Sequence, residues 1–242
     1  MTAAFEELDY RPTPIGALSL RRRRDLTLGI DIFEIKLGEE FLMSSMFTAS
    51  EIALAELGLA ELSGTGLEVA VGGLGLGYTA RAVLRNSSVK SLLVIEVLDA
   101  VVDWHKQGLL PLGKVLRSDS RCQFVIGDFF KLAASPEGFD PAKKARQFDA
   151  ILVDIDHSPD LLLDPQNAAF YQPEGLSSLS RHLRPGGVFG LWSNERPDER
   201  FVARLAEVFS EVRAEPITFH NPLQNSDFTQ TVYLARKRDA AG

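Results

Sequence analysis

Four glycines lie close together in the segment VAVGGLGLGYTARAVL, at Gly72, Gly73, Gly75 and Gly77. Apolar or small residues run into these glycines, and a helix-like pattern follows them directly. Because glycine carries no side chain, it lets the backbone turn sharply and lets a ligand lie against main-chain amides. The segment therefore indicates a binding loop for a large polar ligand, although similar loops also occur only to pack a helix on a strand.

Acidic residues follow the next three predicted strands. Glu96 ends the strand LLVIE, 19 residues beyond Gly77, while Asp128 follows the third strand and Asp154 closes the fourth. Since the carboxyl ends of parallel strands meet at one edge of a sheet, all three acids should lie on the ligand side. An acid about 20 residues after a glycine loop is the expected partner of ribose hydroxyls, and Asp128 suits an adenine amino group. Each acid could instead cap the helix that follows it.

The glycine spacing favours an adenosyl ligand over other nucleotides. The loop does not follow the G-x-G-x-x-G pattern of dinucleotide-binding folds, and the chain has no G-K-[ST] triplet for a triphosphate. An adenosyl group needs no cradle for a pyrophosphate, which suits this looser arrangement.

The elements that must position these residues alternate between strands and helices, an order typical of a parallel sheet wrapped by helices. The predicted strands are Leu67–Val71, Ser91–Val97, Cys122–Ile126, Phe148–Asp154 and Gly187–Trp192. The predicted helices are Tyr78–Arg85, Leu98–Lys106, Glu174–Leu183 and Asp198–Phe209.

Two further strands are predicted near the end of the chain. Ala214–Phe219 and Gln230–Arg236 are joined by the loop HNPLQNSDFT with no helix between them, so they should form an antiparallel hairpin at one edge of the sheet. The sequence therefore predicts an α/β fold with a Rossmann-like, seven-stranded, mostly parallel sheet that ends in an antiparallel hairpin.

The N-terminal segment has a different pattern. Ile15–Leu20 and Ile30–Leu37 are short, partly alternating runs separated by proline and glycine, which predicts β-hairpins. The segment Thr48–Glu51 (TASE) then fits a capping box at the start of a helix. We therefore predict a small β-rich extension over residues 1–47 and a main domain over residues 48–242.

Composition restricts the possible partners and the cellular location. The chain has 242 residues and a formal net charge of −7, so nucleic acids and anionic membranes are not predicted partners. Cys122 is the single cysteine, which fits a reducing compartment. The sequence has neither a signal-peptide pattern nor an apolar run of about 20 residues, so a cytoplasmic location is predicted. The run Arg21–Arg24 is expected at a solvated strand end or turn.

Several segments together resemble the spermidine synthase-like branch of the class I S-adenosylmethionine-dependent methyltransferase fold. The resemblance covers most of the chain and is carried by EEFLMSSM, VGGLGLG, VIEV, VIGDFF, FDAILVDIDHSPD, LRPGGVFGLWSNERP and the last hairpin. It implies that the glycine loop cradles the donor's tail and ribose, that Glu96 binds the ribose, and that Asp128 with Phe129 binds the adenine. It also implies a homodimer and an N-terminal extension that lids the site.

The resemblance also suggests an acceptor site. Asp154 matches the first acid of the family's D-S-S-D segment, and it would bind an acceptor amine and remove its proton. An amine with a pKa like that of lysine is protonated at neutral pH and must lose that proton before it attacks. Asp156 and His157 are expected to assist, with His157 acting either as a general base or only as a loop residue.

Three departures from the family pattern affect the reaction. The family's loop aspartate, which holds the donor's aminopropyl ammonium, falls on Gly75, and the second D-S-S-D acid falls on His157. The family's Tyr-(Gln/His)-Glu falls on Met43, Ser44 and Ser45. Because an acid at Gly75 would repel the carboxylate of intact S-adenosylmethionine, its absence favours methyl transfer to a small, amine-like acceptor.

Two alternatives remain open at this point. One is an aminopropyltransferase that uses decarboxylated S-adenosylmethionine and holds its ammonium differently. The other is a non-catalytic adenosyl-binding module. No metal site is predicted, because histidine, cysteine and acidic residues do not reach metal-ligand spacing. His105 and His182 are expected on the surface, and Glu195 is expected either to face the acceptor or to cap the following helix.

Overall fold

The N-terminal segment forms a four-stranded antiparallel sheet in chain order. The structure is a computed structural model that describes residues 4–13 and 16–239. The strands are β1 (Phe5–Thr13), β2 (Gly16–Asp25), β3 (Ile30–Leu37) and β4 (Glu40–Ser44). The predicted hairpin strands are confirmed, except that Ile15 lies outside the described residues. Strand β2 also extends five residues past its predicted end at Leu20.

The arginine run forms the second half of β2. Acidic residues on β1 and β3 or at the end of β2 lie across from it, so the positive charges are paired rather than only solvated. The ion pairs are Arg21–Glu7 (3.7 Å), Arg22–Glu6 (2.6 Å), Arg23–Glu34 (2.8 Å), Arg23–Asp25 (3.5 Å) and Arg24–Asp31 (3.2 Å). The expectation of a strand end is confirmed, and the pairing explains why four cations in succession are tolerated there.

The main sheet has seven strands in the order β10-β11-β9-β8-β5-β6-β7. Its strands are β5 (Leu67–Gly72), β6 (Val89–Glu96), β7 (Cys122–Ile126), β8 (Phe148–Val153), β9 (Leu183–Ser193), β10 (Ser210–Asn221) and β11 (Ser226–Arg236). Strands β5 to β9 pair in parallel, and β11 is antiparallel to both of its neighbours. The predicted α/β fold with a reversed last hairpin is thus confirmed.

The helices cover both faces of this sheet. They are α1 (Ala49–Ala60), α2 (Tyr78–Arg85), α3 (Asp99–Gln107), α4 (Gly113–Ser118), α5 (Phe129–Ala134), α6 (Pro173–Ser180) and α7 (Glu199–Val208), with a 3₁₀ helix at Pro165–Tyr171. Buried residues of α1 to α4 pack with one face of the sheet, and those of α5 to α7 pack with the other. In the described chain, no helix is long and apolar enough to cross a bilayer.

Several predicted boundaries are wrong, and β9 and β10 each begin four residues before their predicted starts at Gly187 and Ala214. The helix predicted to end at Leu183 ends at Ser180, and Leu183 begins β9, because the residue before Pro185 is disfavoured in a helix. The predicted loop HNPLQNSDFT shrinks to residues 222–225, because β10 and β11 continue pairing to the turn. Phe219 and Phe228 face each other across these added rungs, with ring centroids 5.9 Å apart.

The N-terminal sheet shares its core with the main sheet. Leu18, Leu20 and Ile35 are buried in the same apolar cluster as residues of α1 and β5. Asp9 on β1 also accepts hydrogen bonds from Trp104 Nε1 at 2.6 Å and from Arg11 Nε at 2.8 Å. The division at residues 1–47 and 48–242 stays a prediction, since this packing ties the extension closely to the rest.

Replacing Asp9 with alanine is expected to lower the free energy of unfolding by about 1–3 kcal/mol, because the buried indole of Trp104 loses its acceptor. The Trp104 hydrogen bond is the main cause of the lowered pKa of Asp9, so this stability is present above its unfolded pKa of 3.8 and is lost as pH falls through the folded value. Urea unfolding should show the loss. Asp103→Ala removes only a contact with Arg11 and should cost less than about 1 kcal/mol; equal losses would contradict this assignment.

Candidate functional site

The glycine loop leaves β5 and enters α2 along a path that side chains would block. Gly73 has φ +92°, and a Cβ there would collide with the backbone carbonyl of Asp154. The loop is also tied to both neighbouring strands, because Gly73 N donates to Ile95 O at 2.9 Å and Asp154 N donates to Gly72 O at 2.8 Å. The backbone itself is therefore brought close to Asp154 at the carboxyl edge of the sheet.

Glu96 lies beside this loop, as the sequence predicts. Its two carboxylate oxygens accept hydrogen bonds from Leu74 N at 3.0 Å and Leu98 N at 2.9 Å. Burial raises the pKa of Glu96, and these amide donors oppose the rise. The carboxylate thus fixes the loop against the end of β6, and its role toward a ribose stays a prediction.

Asp128 begins α5 as its N-cap. One carboxylate oxygen accepts from Phe130 N at 3.0 Å and Lys131 N at 3.1 Å, and Lys131 Nζ lies 3.0 Å from the other. Asp128 therefore caps the helix that follows it, which is one of the two roles that the sequence allows. Phe129 is buried with its ring beneath the loop, where a Cβ at Gly72 would collide with it. Phe129 can thus support the loop, and the roles of Asp128 and Phe129 toward an adenine stay predictions.

Two apolar side chains that the sequence reasoning missed stand exposed at the same edge. Val97 follows Glu96, and Ile126 pairs with Glu96 across β6 and β7. They are 56% and 55% exposed, although they adjoin buried strands. Such side chains suit the flat face of a nucleobase. The sequence feature that could have identified them is an apolar residue directly at the end of each strand.

Asp154 sits at the end of β8, where Thr79 Oγ1 of α2 donates to its Oδ2 at 2.7 Å. Burial raises the pKa of Asp154 to about 6, and the Thr79 hydrogen bond opposes that rise. The carboxylate is therefore a base that can take up a proton near neutral pH.

Glu51 is a site residue that the sequence reasoning assigned elsewhere. Thr48 makes no side-chain capping bond, and Glu51 lies on the buried face of α1 with Leu54 and Gly58. Burial and then the charge of Asp154 raise the pKa of Glu51 to about 8. The capping-box prediction is wrong. The sequence feature that argues against it is the helical spacing, which places Glu51 on the same face as the buried residues of α1.

Asp156 and His157 have partners away from Asp154. The buried carboxylate of Asp156 accepts hydrogen bonds from Leu163 N at 2.8 Å and the Tyr171 hydroxyl at 2.9 Å, and burial raises its pKa. His157 Nε2 lies 2.9 Å from Glu40 Oε1 on β4. These contacts hold the loop after β8 in place, and the assisting roles of both residues stay predictions.

Met43 and His105 hold the glycine loop from opposite sides. Leu76 N donates to the Met43 sulfur at 2.7 Å, and a Cβ on Gly75 would collide with that sulfur. His105 Nε2 donates to Gly75 O at 2.8 Å, and burial lowers the pKa of its imidazole. His105 is therefore neutral and supports the loop through this hydrogen bond.

The surface positions predicted for His105 and His182 are wrong. Both side chains are buried, and His182 Nε2 lies 3.2 Å from Ala133 O. In each case a backbone carbonyl in the interior accepts a hydrogen bond from Nε2 of the imidazole, a contact that the sequence pattern cannot show.

An open groove of about 490 Å³ lies beyond the end of β9. It is lined by Asn194, Glu195, Arg196, Asp227, Phe228 and Thr229. Glu195 does not cap α7, because Asp198 does so. The remaining alternative, that Glu195 faces an acceptor, stays a prediction that the groove supports.

Replacing Thr79 with valine is expected to raise the pKa of Asp154 further above 6 by about one to two pH units, because a hydrogen bond to the carboxylate is lost. An NMR titration of ¹³C-carboxyl-labelled aspartate, assigned with Asp154→Asn, measures the shift. The exposed Thr218→Val is the control and should leave the midpoint unchanged. A midpoint that does not move in the Thr79 variant would show that this hydrogen bond does not tune Asp154.

Comparisons with known proteins give a consistent result. A family model for the spermine/spermidine synthase domain matches residues 51–213. Putrescine N-methyltransferase 2 of Nicotiana attenuata is 27% identical over 147 residues, which are 59% of this chain and 36% of that protein. Spermidine synthase 2 of Arabidopsis thaliana is 32% identical over 164 residues, which are 64% of this chain and 43% of that protein. The chain thus spans less than half the length of these relatives.

Solved structures agree with this result at the level of the fold. A spermidine synthase from Thermotoga maritima superposes with a TM-score of 0.71 at 17% identity, covering 97% of this chain and 73% of that chain. A spermidine synthase in complex with the transition state analogue AdoDATO gives a TM-score of 0.73 at 18% identity, covering 97% and 74%. These similarities show that the chain has the spermidine synthase fold.

Proposed function

Since the chain belongs to the spermine/spermidine synthase domain family, we propose that it is an S-adenosylmethionine-dependent transferase that methylates a small, amine-like acceptor. The observation that carries this proposal is the position of Asp154. Its half-buried carboxylate, with a pKa raised to about 6, lies against a glycine loop that is tied to its own backbone. A base is thus placed directly beside the proposed donor site.

The residues around the loop fit an adenosyl donor. Gly73 lets the loop pass directly against the backbone of Asp154, where any side chain would collide with the carbonyl oxygen. Glu96 is proposed for the ribose, and Val97, Ile126 and Asp128 are proposed for the adenine. When bound, the donor supplies a methyl carbon attached to a positively charged sulfur.

The chain's own contribution is to prepare the acceptor. Asp154 would bind the acceptor's ammonium group and accept its proton, which leaves a nitrogen lone pair free to attack. Thr79 holds one oxygen of Asp154 and so leaves the other for the acceptor. The rest of the catalysis is positioning of this nitrogen in line with the methyl carbon.

The second candidate is an aminopropyltransferase that uses decarboxylated S-adenosylmethionine. It is favoured by the similarity to a plant spermidine synthase. It is opposed by Gly75, where no acid is available to hold the ammonium of a decarboxylated donor. The third candidate, a non-catalytic adenosyl-binding module, is favoured by the contact of Met43 with the loop and is opposed by Asp154.

Calorimetric titration with intact and decarboxylated S-adenosylmethionine, side by side at neutral pH, tests the proposal. Tighter binding of the intact donor supports methyl transfer, and labelled donor with putrescine and simple monoamines as acceptors then tests the reaction. Tighter binding of the decarboxylated donor would favour aminopropyl transfer. Binding of neither would refute the adenosyl site.

We also propose that the protein acts as a cytoplasmic homodimer without a nucleic-acid partner. The net charge of −7 supports the last point, since an acidic surface repels phosphates. Light scattering behind size-exclusion chromatography would test the dimer, and a monomer at micromolar concentration would contradict it.

A further inference from the structure

We infer that Glu51 carries a proton at neutral pH and acts as a positioning residue that leaves Asp154 as the ionised base of the site. The inference rests on the proposed function for its catalytic meaning. The ionisation of Glu51 itself follows from the hydrogen bonds around a single buried hydroxyl.

Ser50 Oγ is that hydroxyl, and three polar atoms surround it. Trp192 Nε1 donates to it at 2.8 Å, Gln230 Oε1 lies 2.6 Å away, and Glu51 Oε2 lies 2.8 Å away. Gln230 Nε2 donates to Asn194 Oδ1 at 2.9 Å, so the Oε1 atom that faces Ser50 is an acceptor.

With the Gln230 and Asn194 amides in this orientation, the protons can be assigned to these atoms in one consistent way. A hydroxyl has one proton and two lone pairs. Because Trp192 occupies one lone pair and the hydroxyl proton is given to Gln230, nothing remains for Ser50 to donate to Glu51. The contact between Glu51 and Ser50 therefore needs a proton from Glu51, which fills the second lone pair. Every polar atom around Ser50 is then satisfied, as buried groups require.

The charges around Glu51 favour the same state. Asp154 faces it from the end of β8, and Tyr78 faces it from α2, while β9 and β11 contribute Trp192 and Gln230, which do not ionise. Within the described part of the chain, no cation offsets a charge on Glu51. A buried carboxylate without a cation is costly, so Glu51 keeps its proton.

The pair therefore carries one negative charge, and that charge lies on Asp154. A second negative charge nearby would stabilise the ammonium form of an acceptor and oppose the loss of its proton. A neutral Glu51 avoids this effect while Asp154 remains free to accept a proton. The pair thus suits an acceptor that presents a single cationic nitrogen at this point.

Glu51→Gln tests the ionisation, because an amide can donate to Ser50 as a protonated acid does but cannot ionise. The folded pKa of Glu51 lies above its unfolded value of 4.5, so the stability from the neutral acid is full below that value and is lost as pH rises through about 8. The melting temperature of Glu51→Gln, relative to that of the wild type, should therefore increase as pH rises from about 5 to about 9. Glu56→Gln, at an exposed position of the same helix, is the control, and its melting temperature should differ from that of the wild type by the same amount at every pH in this range.

A second measurement on the wild type needs no folded variant of Glu51. An NMR titration of ¹³C-carboxyl-labelled glutamate, with each signal assigned through bonds to its own backbone amide, should show that the carboxyl of Glu51 remains protonated at pH 7. In aspartate-labelled Glu51→Gln protein, the midpoint of Asp154 should equal that of the wild type, since a neutral Glu51 exerts no repulsion.

An ionised Glu51 at pH 7, or a midpoint of Asp154 that falls in Glu51→Gln, would overturn the inference. It would mean that the amides of Gln230 and Asn194 have the reverse orientation and that Ser50 donates to a carboxylate. These measurements use the protein without ligand, so their failure is distinguishable from a failure to bind S-adenosylmethionine.

Discussion

Replacing Asp154 with asparagine is expected to lower the rate constant for methyl transfer by about 10²–10⁴-fold, because the acceptor's ammonium group loses its base. Asparagine has the same shape, and its Oδ1 can still accept the hydroxyl of Thr79, so the fold should persist. Binding of S-adenosylmethionine should change by less than about threefold, because the donor's contacts are proposed at other residues, whereas binding of the acceptor should weaken together with the chemical step.

Single-turnover transfer from labelled donor, with putrescine as the first acceptor tested, measures the chemical step apart from binding. Asp160→Asn is a suitable control, because Asp160 lies in the same loop and pairs only with Arg200 and Arg204 among the described ion pairs. That variant should retain its activity. Equal activity in Asp154→Asn and the wild type would mean that the proton goes to another group.

The second large effect concerns the choice of donor at Gly75. Aspartate introduced there, with Met43→Ala to remove the sulfur that its Cβ would meet, should weaken binding of intact S-adenosylmethionine relative to the decarboxylated form. Two charges about 4 Å apart at an effective dielectric constant near 20 interact by about 4 kcal/mol. The ratio of the two dissociation constants should therefore change by about 10³-fold.

The matched control is Gly75→Asn in the same Met43→Ala background. Gly75 has φ +45°, a left-handed conformation that aspartate and asparagine tolerate better than most residues. The two double variants thus differ in charge, while their side chains have the same shape and require the same backbone conformation. Calorimetry with both donors compares them, and equal preferences would show that the donor's tail does not lie beside residue 75.

The main sheet was predictable because its parallel strands, except the edge strand β7, are largely buried on both faces. Runs such as Leu67–Val71 and Phe148–Asp154 are largely apolar and end in glycine or an acid, so composition alone marks both the strand and its ligand edge. The loop, Glu96 and Asp154 therefore come together as the sequence indicates.

The directions of individual polar side chains were not predictable in this way. Glu51 fits a capping box by its spacing, and it turns inward because Ser50 and the end of β8 offer a buried polar environment. Asp156 lies two residues beyond Asp154, and it turns away because Tyr171 donates to it from a 3₁₀ helix. Such partners are distant in sequence, so only the folded chain decides between the alternatives.

Because Leu76 N donates to the sulfur of Met43, this side chain of strand β4 competes with any ligand that would bind the Leu76 amide of the glycine loop. A ligand that needs the Leu76 amide must first displace a sulfur atom that is tethered to the same chain and is therefore present at high effective concentration. The apparent dissociation constant then equals the intrinsic value divided by the fraction of molecules in which the amide is free. The affinity of such a ligand would thus depend partly on a residue 33 positions earlier in the chain, on the N-terminal sheet.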